Sequence, residues 1–348
     1  MATIIDVARA AGVSKSTVSR GFTNPAAVKA PTLEKINHAA QKLNYTPNAL
    51  ARAMITKKTE TFGFIINAEQ SPVISNPFYG QILEKVVELT GKRGYSLYIS
   101  SSTAASEAVA GVVAAAEAAA EEAPDFSCHL LLRKQVDGVI FASYTKPELL
   151  KSFLERQIPV VLVNSRTDLP GVCCVISDDT GGIGQTVDYL VKKGHRSIGI
   201  IEGRFTRFIV DRRHRAFLRA LGKNGLKAKE SSMALTAADI HAAAETAYVL
   251  LGGKKPPSAL VCTNDLIALG AIKAARRRGL HVPRDIAITG YDNSSLCIAS
   301  DPAITSVDAS TAGMGAAAVD FLFAQMEGKK IPGTLRTVKT RLVVRESA

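Results

Sequence analysis

Thr3-Ile4-Ile5-Asp6-Val7-Ala8-Arg9-Ala10-Ala11-Gly12-Val13-Ser14-Lys15-Ser16-Thr17-Val18-Ser19-Arg20 reads as two short helices around a tight turn. Thr3 followed by an acid three residues later is a capping pattern, in which Thr3 bonds the backbone of Asp6 and Asp6 reaches back. Ile5, Val7, Ala8 and Ala11 give the first helix an apolar side. Gly12 stops it, because glycine readily enters the left-handed conformation of a helix end. Val13 follows as a plug, and Ser14 caps a second helix over Lys15 to Arg20. Two short helices about a turn containing Gly have helix-turn-helix geometry. A third helix is predicted from about Thr32 to Leu43, with Leu33, Ile36, Ala39, Ala40 and Leu43 at helical spacing. On the second helix Lys15, Ser16 and Arg20 fall within about 140° of arc. All three are polar, and Val18 points elsewhere. A helix that reads bases presents such a face to the major groove, with Lys15 donating to guanine and Arg20 to a base edge or a phosphate. Taken alone, a three-helix bundle that binds protein is the alternative.

The charge distribution favours the nucleic-acid reading. The 348 residues carry 43 Lys and Arg against 31 Asp and Glu, a net +12. Residues 1–60 hold nine basic and three acidic side chains, so half of the excess sits in about a sixth of the chain. A small basic module on a nearly balanced body suits a polyanion. The composition, 47% hydrophobic and 21% charged, is that of a globular protein and excludes a disordered chain. No run approaches the length of a membrane span. The start MATIIDVARA lacks the pattern of a signal peptide, and five Cys form no CxxC pair. The expected location is therefore the cytoplasm, with reduced thiols, no membrane partner and no metal.

Asp6-Val7-Ala8, Ala11-Gly12-Val13-Ser14, Thr17-Val18-Ser19-Arg20, Leu43-Asn44-Tyr45-Thr46-Pro47-Asn48 and Ala51-Arg52 resemble the DNA-binding head of the LacI/GalR family of bacterial transcription regulators. The resemblance implies a helix-turn-helix domain over 1–46 and a hinge helix with linker over 47–59. It implies DNA contacts from Thr3, Ser14, Lys15, Ser16, Thr17, Arg20 and Asn24 in the head, and from Asn48, Leu50, Ala51 and Met54 in the hinge. Pro47 to Met54 is too short to hold a helix alone. In the family, paired hinges fold on operator DNA and wedge apolar side chains into the minor groove. Met54 stands where the family usually has Leu. Lys29-Ala30-Pro31 lacks the Ser cap common before the family's third helix.

Beyond residue 60 the pattern changes to short apolar runs between helical stretches: Phe62–Ile66, Tyr95–Ser100, Val136–Ala142, Pro159–Val163, Val172–Ser177, Ser197–Ile201, Ala259–Thr263 and Ile286–Gly290. Continuous rather than alternating hydrophobicity predicts parallel strands buried on both faces. Asp178-Asp179-Thr180-Gly181-Gly182, Gly194-His195-Arg196, Asn264-Asp265, Val282-Pro283-Arg284-Asp285 and Gly290-Tyr291-Asp292-Asn293 extend the resemblance to the two-lobed, periplasmic-binding-protein-like core of the same regulators. The expected fold is an all-α head and hinge followed by a two-lobed α/β core over 60–348. Lobe one is expected over about 60–162 and 293–323, and lobe two over about 163–292 and 324–348. Residues 103–123 hold eleven Ala, which predicts a surface helix or insertion.

Ligands of open α/β lobes collect at the C-terminal ends of strands. The resemblance points to Phe78, Asn164, Arg213, Asn264 and Asp292 as effector contacts, and Arg207, in the loop after the strand ending near Ile201, is a further candidate with a solvated loop residue as the alternative. In a predicted helix over 212–221, Arg213 faces inward, while Arg212, Arg215 and Arg219 face solvent. Arg207 and Arg213 near a helix start would suit a carboxylate or phosphate. Arg213 with Asn164, Asn264 and Asp292 suffices for a neutral sugar. The expected effector is a carbohydrate, with a sugar phosphate next and a nucleobase or another anionic metabolite as alternatives. No cofactor is expected. Gly181 to Thr186 lacks the Gly-Lys-[Ser/Thr] of a P-loop, no Gly-x-Ser-x-Gly elbow occurs, and the six His lack metal spacing. The expected function is an allosteric repressor, not an enzyme, acting on a pseudopalindromic operator. A solute receptor without DNA binding is the alternative. With the final strand ending near Val344 and no leucine-heptad helix after it, the expected assembly is a homodimer.

Overall fold

The computed structural model describes residues 2–46, 56, 58–67, 76–102, 136–204, 207–329, 331 and 334–348. These fall into two compact units, one reaching to Thr61 and including Val136 and Asp137, the other comprising the rest from Phe62 onward.

The first unit is a three-helix head: α1 (Ile4–Ala11), α2 (Lys15–Thr23) and α3 (Ala30–Lys42). Thr3 and Asp6 form the reciprocal cap, the Asp6 N–H donating to Thr3 Oγ1 at 3.4 Å and the Thr3 N–H to Asp6 Oδ2 at 2.9 Å. Gly12 takes φ +64°, and its N–H returns to the end of α1. Ser14 then accepts from the Thr17 N–H at 3.1 Å and starts α2. Val7, Ala8, Val18, Ile36, Ala39 and Ala40 close the core. Gly21 keeps α2 and α3 close, since a Cβ there would stand 3.0 Å from Ile36 Cδ1. α3 begins two residues earlier than expected. Pro31 in its first turn has no N–H to satisfy, so the helix starts without a side-chain cap from Lys29. The expected hinge helix, with Asn48, Leu50, Ala51 and Met54, lies outside the described residues, as does the Ala-rich stretch 103–123.

The second unit contains two six-stranded sheets. The first has the order β11-β5-β4-β3-β1-β2, from β1 (Thr61–Asn67), β2 (Ser96–Ser102), β3 (Gly138–Ala142), β4 (Val160–Val163), β5 (Val172–Ser177) and β11 (Leu335–Val338). The second has the order β12-β10-β9-β8-β6-β7, from β6 (Ile198–Gly203), β7 (Met233–Thr236), β8 (Ala259–Cys262), β9 (Ala287–Tyr291), β10 (Thr305–Asp308) and β12 (Arg341–Val343). The central strands β3, β4, β5, β6, β8 and β9 are buried throughout, which accounts for their unbroken apolar runs. Their pairings are parallel, whereas β12 runs antiparallel to β10.

The sheets divide the chain differently from the expected lobe boundaries. β5 belongs to the first sheet, with Val172 opposite Val160 of β4. β10 belongs to the second sheet, with Thr305 opposite Thr289 of β9. The helix Thr311–Met326 packs on the first sheet, and β11 pairs with β5 there. The chain thus crosses between lobes after Ser177, after Asp308 and between Val338 and Arg341. Among the described residues, one lobe holds β1 to β5, the helix Thr311–Met326 and β11, and the other holds β6 to β10 and β12. No helix among the described residues is long and apolar enough to cross a membrane.

Candidate functional site

In the head, α2 buries Val18 and leaves Lys15, Ser16 and Arg20 exposed on its other side. Asn24, just past the helix, is exposed as well, and Thr17 is half-buried. Two of the expected DNA-binding hydroxyls already serve the backbone. Thr3 Oγ1 donates to Asp6 Oδ2 at 2.7 Å, and Ser14 Oγ lies 2.8 Å from both Ser16 Oγ and Thr17 Oγ1. The Thr3 hydroxyl and N–H hold the Asp6 carboxyl below its ordinary pKa. These caps fix where α1 and α2 begin, and Lys15 and Arg20 stay exposed on α2.

In the core, a cleft is lined from both lobes. Asn76 caps the helix Pro77–Gly91 by accepting from the N–H groups of Phe78 and Tyr79 at 3.0 and 3.3 Å, so both rings stand at its first turn. They meet edge to face with centroids 5.0 Å apart. Asn164 leaves the end of β4 and Asp292 the end of β9, with φ of +58° and +107°. Asn and Asp tolerate these left-handed conformations better than most residues. Asn264 caps the helix Asp265–Arg277, its Oδ1 accepting from the Ile267 N–H at 2.8 Å, which leaves its amide nitrogen for a ligand.

Arg213 is 3% exposed and held on every side. Its Nε lies 3.4 Å from Asp179 Oδ1 and its Nη2 3.8 Å from Asp292 Oδ1, Nη1 donates to the Thr263 carbonyl, and the guanidinium stacks 3.9 Å from the Tyr291 ring centroid. Asp179 is 1% exposed and also accepts from Tyr291 Oη at 2.7 Å and Ser177 Oγ at 2.8 Å. Burial pushes the Asp292 carboxyl well above the ordinary carboxylate range, against the pull of Arg213. Burial lowers the Arg213 pKa, and Asp179, Tyr291 and Asp292 raise it past that loss, so the group stays charged. Two acceptors on the cleft wall, Asn164 Oδ1 and Asp292 Oδ1, are buried without a hydrogen-bond donor. Asn164 Nδ2, by contrast, donates to Tyr79 Oη at 3.2 Å.

Phe78, Asn164, Arg213, Asn264 and Asp292 therefore converge on one cleft. Arg207 differs from its expected place. It is the first residue of the helix Arg207–Lys223, not part of a preceding loop, and its side chain lies outside the described atoms. The expected helix 212–221 starts five residues earlier, so Arg213 sits in its second turn rather than at its N-terminus. The anion-binding contribution of a helix end is lost with that shift. Arg212 is also not solvated as expected: its Nη2 donates to the Ser177 carbonyl at 2.6 Å and lies 3.2 Å from Asp179 Oδ2. Arg215 and Arg219 are exposed.

Sequence reasoning missed Asn76, Tyr79, Ile209, Asp265, Leu266 and Ser294 in the lining. Asn76-Pro77 was legible as a cap followed by Pro at a helix start, which would have placed Tyr79 beside Phe78. Asp265 has a structural task, accepting from Ser306 Oγ at 2.6 Å and the Ser294 N–H at 2.7 Å. Among the described residues, no group of three or more His, Cys, Asp or Glu side chains could hold a metal ion.

Residues 3–48 match the model of bacterial regulatory proteins of the lacI family, and residues 187–348 match that of a periplasmic binding protein-like domain. The HTH-type transcriptional repressor PurR of Pasteurella multocida (strain Pm70) is 32% identical over 358 residues, spanning 100% of this chain and 98% of that protein. Among solved structures, a transcriptional regulator CelR–cellobiose complex aligns with a TM-score of 0.71 at 25% identity, covering 100% of both chains. The lac repressor dimer bound to operator and the anti-inducer ONPF aligns with a TM-score of 0.82 at 23% identity, over 99% of this chain and 98% of that one, a likeness of fold. With a helix-turn-helix head, a two-lobed core and a full-length relative at this identity, the chain belongs to the LacI family of DNA-binding bacterial transcription regulators.

Proposed function

We propose that this regulator is a repressor that binds a pseudopalindromic operator as a homodimer, and that a neutral carbohydrate in the core cleft sets its operator affinity. The observation that carries the effector class is the pair of buried acceptors without donors, Asn164 Oδ1 and Asp292 Oδ1. A buried acceptor left unmet costs about 1–3 kcal/mol, so the cleft favours a ligand that brings hydrogen-bond donors. Sugar hydroxyls supply them, and the Phe78 ring offers a face to the apolar side of a pyranose. Arg213 is already committed to the Asp179 carboxylate, the Thr263 carbonyl and the Tyr291 ring, so it adds little net attraction for an anion. The similar CelR–cellobiose complex is consistent with this class.

On the DNA side, Lys15, Ser16 and Arg20 are the proposed base readers, because they form the exposed polar face of α2. A gel shift with the promoter of its own gene tests operator binding. Absence of any preference over random DNA favours the solute-receptor alternative. Calorimetric titration of the full chain with neutral mono- and disaccharides, their phosphates and purine bases tests the effector. Saturable binding of a neutral sugar, abolished by Arg213→Ala, is expected. Binding confined to phosphorylated sugars or to bases would overturn the carbohydrate assignment. Light scattering at micromolar protein should give a dimer, and a persistent tetramer would reject that assembly.

A further inference from the structure

Outside the ligand cleft, the helix Arg207–Lys223 carries three arginines at i, i+3 and i+7, Arg212, Arg215 and Arg219. With Thr180 and Ala216 they line a second hollow. Arg212 is anchored at its back by Ser177 and Asp179, yet its Nη1 is buried and meets no acceptor. Among the described residues Arg215 hydrogen-bonds through its Nε alone, which donates to the Asp211 carbonyl at 2.9 Å. Arg219 has no hydrogen bond or ion pair among the described residues, and the next basic residue on this side, Lys223, is taken by Asp188 at 3.0 Å. Asp179 is shared between Arg212 and Arg213, which leaves Arg215 and Arg219 as the guanidiniums of the hollow that make no ion pair among the described residues.

We propose that this hollow binds a small phosphate-bearing anion at a site separate from the effector cleft. Guanidinium forks pair with phosphate oxygens two at a time, which is why arginine rather than lysine marks such sites. Residues i to i+7 span about 10 Å of helix, enough for two neighbouring phosphates. A half-open hollow suits a small anion better than a flat polyanion surface does. Thr180 in the lining carries a neutral hydroxyl. The site is independent of the carbohydrate reading and stands or falls without it.

The test is calorimetric titration of the full chain with inorganic pyrophosphate. One saturable site is expected. It should weaken by about tenfold or more in Arg215→Gln/Arg219→Gln, since two charge-assisted contacts are lost. Lys254→Gln/Lys255→Gln removes the same charge from exposed residues elsewhere and should leave the affinity within about twofold. A second readout needs no variant: pyrophosphate should protect Arg215 and Arg219 from phenylglyoxal, followed by mass spectrometry of the peptides. Non-saturable heat, equal weakening in both double variants, or absence of protection would each overturn the site.

Discussion

Asp179→Ala is the sharpest test of the buried network behind the cleft. The carboxylate receives Tyr291 Oη, Ser177 Oγ and Arg213 Nε on Oδ1, and Arg212 stands 3.2 Å from Oδ2. Truncation leaves Arg213 with Asp292 at 3.8 Å and the Thr263 carbonyl, and leaves two buried hydroxyls short of an acceptor. Removing one partner of a buried ion pair typically costs about 3–5 kcal/mol, because the remaining charge stays desolvated. The lost hydroxyl bonds act within the same cluster and do not add independently. Asp179→Asn keeps the acceptor but drops the charge, and should cost less than the alanine variant. With no Trp in the chain, urea unfolding is best followed by far-ultraviolet circular dichroism. A loss below about 1 kcal/mol for Asp179→Ala would place the pair in the range of solvent-screened surface bridges. Arg213 would then not depend on Asp179, and the account of how the cleft is held would fail.

Lys15→Ala should cost about 1–3 kcal/mol at the cognate operator and little on random DNA. Equal weakening on both would make Lys15 a phosphate contact. Ser14→Ala removes the acceptor for the Thr17 N–H and should destabilise α2 by about 0.5–2 kcal/mol, seen as faster amide exchange along Lys15–Thr23. The Asp292 carboxyl has a raised pKa in the fold, so its contribution to stability is fully present below about 3.8 and declines as pH rises through the folded-state value. Asp292→Asn should therefore gain stability relative to the natural chain as pH increases from 4 to 8, in paired urea titrations. A constant difference across that range would contradict the burial of an ionising carboxyl.

The head was legible because its signals are local. Thr3, Gly12 and Ser14 act on residues within four positions, and the structure shows each at its task. The core strands were legible for a similar reason, since burial on both faces leaves an unbroken apolar run. The edge strands β11 and β7 leave no such trace, unlike β2 at the far edge of the first sheet: β11 is Leu-Arg-Thr-Val with three of four residues exposed, and β7 leaves Leu235 open to solvent. Lobe membership was misjudged because crossing between sheets depends on pairings such as Val172 with Val160 and Leu335 with Cys174. Nothing in the linear pattern encodes a choice between two similar sheets. In the cleft, Asp179 carried no sign that it meets an arginine 34 positions away.

On the carbohydrate reading, the two acceptors without donors have a consequence for signalling. Asn164 hangs from the end of β4 in the first sheet, and Asp292 from the end of β9 in the second. A ligand that donates to both joins the two lobes through bonds that neither lobe can make alone. Each such bond has an alternative in the open state only with water, so the ligand favours whichever lobe arrangement brings both acceptors within reach. A ligand shifts a conformational equilibrium only by its difference in affinity for the two states. That difference resides here in two named oxygens. Asn164→Ala or Asp292→Ala alone should reduce ligand control of operator binding, while a ligand bonded to one lobe only should bind without changing operator affinity. Titrating operator affinity against ligand for each variant separates the two effects, and an unchanged response after loss of either acceptor would rule this coupling out.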